Sequence, residues 1–70
     1  MAYVVPRRSG GWELRESRAT PAGPRARTLA SFKTLDGETI DHAIRRASRP
    51  LRAEAIRRAA TRAGAPIAWD

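Results

Sequence analysis

Residues 12–32, WELRESRATPAGPRARTLASF, constrain this chain more than any other stretch. At their centre, TPAGP puts Pro21 where a proline presets the first turn position. Gly23 follows where a left-handed residue closes a hairpin loop of three residues or more. Both flanks have strand character, so the stretch reads as two antiparallel strands. Centring the turn on Ala22 sets Trp12 opposite Phe32 and Leu14 opposite Ala30, and such an aromatic cross-strand pair adds to sheet stability. The same register gathers Glu13, Arg15, Arg25, Arg27, Leu29, Ser31 and Lys33 on the other face, and a slip of one residue destroys the segregation.

Upstream, AYVVPRR supplies a further strand with Tyr3, Val4 and Val5, and Ser9, Gly10 and Gly11 turn it into Trp12. Downstream the period changes. Asp36 is placed to cap a helix whose Ile40, Ala43, Ile44 and Ala47 share one face, with His42, Arg45, Arg46 and Arg49 opposite. Pro50 interrupts it. LRAEAIRRAATRAG then makes a second helix with Leu51, Ala55, Ile56, Ala59 and Ala63 inward, a Glu54–Arg58 pair at i,i+4, and Gly64 as its stop. The repeat of AIRRA at 43–47 and 55–59 is too closely spaced for a repeat architecture, whose units run to roughly 20 residues or more. The reading is a single α+β domain: a three-stranded antiparallel meander over 1–35, two short helices over 36–64, and a tail over 65–70 in which Ile67 and Trp69 have no assigned place.

With 70 residues, such a domain buries only about 60% of its unfolded surface. Cysteine is absent and His42 is the only histidine, so disulfides and a zinc site are not expected to supplement the core, and a reducing compartment fits. No apolar run approaches the ~20 residues that cross a bilayer. MAYVVPRR places its apolar residues before its basic ones, unlike a signal peptide. A soluble cytoplasmic protein without a membrane partner is the expectation.

The acids form no evident acid/base pair, the serines sit in no nucleophile motif, and GETIDHA lacks phosphate-loop spacing. Neither an enzyme nor a cofactor is expected, and His42 reads as a solvated helix residue. Charge is the stronger signal. The formal net charge is +7, carried by thirteen arginines and Lys33. A GC-rich genome accounts for arginine in place of lysine better than for the excess itself. In residues 1–35 seven cations face two acids, whereas in 36–70 seven face five. The positive excess therefore lies mainly in the sheet half, where a ribbon of two or three strands can enter a major groove.

The candidate nucleic-acid contacts are Arg15, Arg25, Arg27 and Lys33 on the sheet, Arg7, Arg8 and Arg18 at its turns, and Arg45, Arg46 and Arg49 on the first helix. Trp12 is assigned to the core rather than to base stacking, and Tyr3 is left open between the two. Double-stranded DNA is the favoured partner. RNA, including a ribosomal surface, and an acidic protein are the alternatives, the last with self-association through exposed Leu29, Ile67 and Trp69.

Three strands followed by a helix, with a basic outer sheet face, resemble the arm-binding domain of tyrosine recombinases and the AP2-type DNA-binding domain over residues 1 to about 48. The resemblance implies a sheet that reads the major groove. Glu16-Ser17-Arg18 and Arg27-Thr28-Leu29-Ala30 are similar to a hairpin near the N-terminus of some DDE transposases. Phe32-Lys33 departs from the Leu-Gly found there, and nothing corresponds to a transposase catalytic domain. The chain also looks like the front portion of actinobacterial proteins rich in arginine and alanine.

Overall fold

A computed structural model describes residues 2–68. Strands β1 (Ala2–Pro6), β2 (Trp12–Thr20) and β3 (Gly23–Phe32) form one antiparallel sheet in the order β1-β2-β3. Helices α1 (Gly37–Arg46) and α2 (Ala53–Ala63) follow, completing an α+β fold. α1 lies on β3 and α2 on β1, and the helices touch each other little.

The β1–β2 turn uses glycine for a steric reason. Gly10 and Gly11 both have positive φ, and the Arg7 amide donates to the Gly11 carbonyl at 3.0 Å. A Cβ on Gly11 would stand 2.9 Å from the Phe32 carbonyl oxygen. The β2–β3 turn is tighter than the sequence suggests. Thr20 pairs with Gly23, so the loop contains only Pro21 and Ala22, and the Thr20 hydroxyl donates to the Gly23 carbonyl. Gly23 does take positive φ.

Trp12 pairs with Phe32 and Leu14 with Ala30, as expected. The next pair is Arg15 with Thr28, so Leu29 is an extra residue in β3, a β-bulge. Leu29 is therefore not on the solvent face: it is 1% exposed and joins the core. Burying a leucine is worth about 1.5–3 kcal/mol, which offsets one disrupted ladder position. The bulge also inverts alternation beyond it. Thr28 faces outward, where its hydroxyl donates to Glu13 Oε1 at 2.8 Å. Arg25 and Arg27 consequently leave the outward face and lie on the helix side of the sheet.

Leu14, Leu29, Leu35 and Ile56 are the largest fully buried side chains, and Ile40, Ala43 and Ala60 join them from the helices. α1 starts as expected, with the Asp36 carboxylate accepting from the Thr39 amide at 2.8 Å. That bond holds the Asp36 carboxyl below its ordinary value. α2 begins at Ala53, two residues later than the periodicity suggests. Ala55 is exposed and Ala60 takes the buried position. Gly64 ends α2 in the left-handed conformation.

The tail returns to the core. Leu35 and Ile67 form a parallel bridge, with the Leu35 amide donating to Pro66 O at 2.9 Å and the Ala68 amide to Leu35 O at 2.7 Å. Ile67 packs half-buried against the core. Trp69 lies outside the described residues. Among those described, no helix is long and apolar enough to cross a membrane.

Candidate nucleic-acid interface

The fold divides the predicted basic residues into three places. Arg7 and Arg8 follow β1 at one end of the sheet, and Lys33 follows β3 at the same end. Arg15 faces outward from the middle of β2, beside Tyr3 of β1. Arg18, Arg25 and Arg27 sit toward the opposite end, near the β2–β3 turn.

Toward the first end, Glu13 pairs with two of the cations, Arg15 and Arg7, while among the described residues Arg8 and Lys33 make no ion pair. Glu13 Oε1 accepts from Arg15 Nε at 3.1 Å, and Glu13 Oε2 stands 3.6 Å from Arg7 Nε. The Thr28 hydroxyl, then Arg15 and Arg7, hold the Glu13 carboxyl below its ordinary value, while Glu13 raises the Arg15 guanidinium. The outward face of the sheet is thus a mixed polar surface, with Ser31 and Thr28 beside this network. It is not the continuous basic face that an unbroken register implies.

The other end differs. β1 begins at Ala2, opposite Glu16, so among the described residues β2 and β3 continue beyond it as a two-stranded arm. Its four pairs, from Ser17–Ala26 to Thr20–Gly23, extend about 13 Å at the usual strand rise. Arg18 and Arg25 are directly opposite one another, and Arg27 is the partner of Glu16 one pair closer to the core on that face. The outward side of the arm carries Ser17, Ala19, Pro24 and Ala26. Residues 17–26 contain no acid, and among the described residues Arg18, Arg25 and Arg27 make no ion pair. All three are exposed.

The corner between α1 and α2 meets the base of this arm. Glu16, 8% exposed, accepts from the Ser48 amide at 3.2 and 3.3 Å and from the Ser48 hydroxyl at 2.9 Å. A recess of about 170 Å³ lies beside this tie, with Arg18 and Arg49 at its sides and Ala2, Leu51 and Pro50 among its lining. Arg45 and Arg46 occupy the last turn of α1 just before the corner. Arg45 also lines a shallow groove with Ala30, Ser31, Asp41 and His42 along β3.

The arrangement brings Arg18, Arg25, Arg27 and Arg49 to one side and one end of the molecule. Arg7, Arg8 and Lys33 lie at the other end. Glu16 and Ser48 were not candidates on sequence grounds, although the alternation of Trp12, Leu14 and Glu16 places the carboxylate on the inward face. Among the described residues no cluster of three or more acidic or histidine side chains could hold a metal ion. Comparison with protein-family models, with curated proteins and with solved structures returned no match.

Proposed function

We propose that this chain binds nucleic acid, double-stranded DNA in particular, with the β2–β3 arm and the α1–α2 corner as its contact surface. One observation carries the proposal: Arg18 and Arg25 are directly opposed on a projecting ribbon that contains no acid. Like charges in such a pair destabilise a sheet. A polyanion removes that penalty and supplies phosphate oxygens that match the guanidinium fork. A two-stranded ribbon also fits a B-form major groove, about 12 Å wide.

Arg18, Arg25 and Arg27 are the leading contacts, and Arg49, Arg46 and Arg45 extend the surface onto the helices. Arg15, Arg7, Arg8 and Lys33 contribute the weaker, more distant field. The direct test is fluorescence anisotropy with a labelled random-sequence duplex. If six or more phosphates are engaged, affinity falls roughly 10³-fold or more between about 50 and 200 mM salt. The paired reversal Arg18→Glu, Arg25→Glu abolishes binding. Salt-independent binding, or an unchanged affinity after that reversal, contradicts the proposal. Preference for an RNA hairpin over the duplex, or capture of an acidic protein that alone is lost on reversal, reassigns the partner.

A further inference from the structure

Glu16 is out of keeping with a surface built to attract a polyanion. Its carboxylate is buried, it is paired across the ladder with Arg27, and it lines the recess between Arg18 and Arg49. By Coulomb's law alone it weakens any phosphate contact there, and burying a carboxylate has its own desolvation cost. It is nonetheless held by three contacts from a residue 32 positions away, two from the Ser48 amide and one from the Ser48 hydroxyl. Ser48 follows Ala47, the residue at which the chain leaves α1 in an extended conformation. The carboxylate therefore fixes the start of the corner against β2 at the base of the arm.

We infer that Glu16 is a positioning residue of a two-sided clamp: it holds the α1–α2 corner so that Arg49 of the corner and Arg18 of the arm line one recess, and a single sugar-phosphate backbone of duplex DNA lies between them. The inference rests on the nucleic-acid reading and deepens it. The arm forms one wall through Arg18, with Arg25 further out and Arg27 at its base. Arg49 lines the recess from the corner, and Ser48 and Glu16, tied to each other, line it as well. Cations on two sides of one recess suit a ridge of phosphates rather than a flat acidic surface. The small outward side chains of the arm leave its other side unobstructed.

Two substitutions of equal charge separate position from electrostatics. Glu16→Gln and Glu16→Ala both remove one negative charge, but only glutamine keeps an oxygen that accepts from Ser48. Glu16→Gln binds duplex at least as tightly as the unsubstituted protein. Glu16→Ala binds about three- to ten-fold more weakly than Glu16→Gln, the size of one lost neutral hydrogen bond, and its salt slope falls by about one phosphate contact. Circular dichroism establishes that each variant is folded.

Ser48→Ala provides a second measurement that alters no charge and leaves the carboxylate in place. Removing its hydroxyl donor lowers affinity about two- to three-fold, a fraction of the full tie. Equal affinities and slopes for folded Glu16→Gln and Glu16→Ala overturn the positioning role, as does unchanged affinity in Ser48→Ala. Failure of the unsubstituted protein to bind duplex at about 50 mM salt overturns the nucleic-acid reading and this inference with it. Binding by the unsubstituted protein with equal Glu16 variants overturns the clamp alone.

Discussion

The two ends of the β2–β3 hairpin are made from the same pair of strands and have opposite characters. Near Trp12 and Phe32 the inward face is apolar, helices cover it, and the outward cations Arg15 and Arg7 share Glu13. Near Thr20 and Gly23 the inward face carries Arg18 and Arg25, and among the described residues those cations pair with no carboxylate. Strand geometry in β2 does not require the difference, since its alternation runs unbroken from Trp12 to Thr20. The bulge at Leu29 divides them: it gives the core one more leucine and turns the arginines beyond it toward the helix side. The first end holds the core and pairs two of its cations with Glu13, whereas the arm has no core beneath it and, among the described residues, pairs none of its arginines.

Substitutions in the two ends should therefore separate folding from binding. Leu14→Ala, at a fully buried position, is expected to lose about 2–5 kcal/mol in urea unfolding, close to the whole stability of so small a domain. Gly11→Ala combines positive φ with a Cβ close to the Phe32 carbonyl. It is expected to cost about 1–3 kcal/mol, seen as a lower urea midpoint with an unchanged slope. Asp36→Ala removes the α1 cap and is expected to lower the urea midpoint by less than Gly11→Ala does. In the arm the sign reverses. Arg25→Ala relieves a like-charge pair and leaves stability equal or higher by about 0.2–1 kcal/mol, while weakening duplex binding. A destabilised Arg25→Ala would erase the contrast.

Titration sharpens the same comparison at the first end. Glu13 and Asp36 both have carboxyl pKa values depressed in the folded state, Glu13 chiefly by the Thr28 hydroxyl and Asp36 by the Thr39 amide. Their stabilisation is complete above the unfolded carboxyl values, near pH 4, and is lost as pH falls through the lower folded values. Thermal unfolding should be insensitive to both groups between about pH 7 and 5 and should weaken below about pH 4. Glu13→Gln is expected to flatten that acid limb. An unaltered limb would dissociate Glu13 from the stability of this end.

The elements whose signals are local were legible in the sequence. The Asp36 cap, the inward face of Ile40 and Ala43, the Gly64 stop and the Trp12–Phe32 pair each depend on a few neighbouring residues. The bulge was not legible, because Leu29 and Ala30 are consecutive and a strict period of two sends one of them to solvent. Only α1 lying on β3 makes burial of both favourable. That single insertion moved Arg25 and Arg27 from the face on which alternation placed them. The Glu16–Ser48 tie was hidden for a related reason: it joins a strand to a helix corner across 32 positions, and no local pattern signals it.

The claim that the arm carries the duplex contacts is tested most directly by comparing salt slopes for duplex binding. Three proteins suffice: the unsubstituted chain, Arg18→Ala with Arg25→Ala, and Arg58→Ala with Arg62→Ala on α2, which removes equal charge elsewhere. The account predicts that the arm variant loses about two units of slope, near 0.9 for each phosphate contact, while the α2 variant keeps a slope close to that of the unsubstituted chain. Equal losses in the two variants would mean that net charge alone governs binding, and would contradict the assignment of the arm.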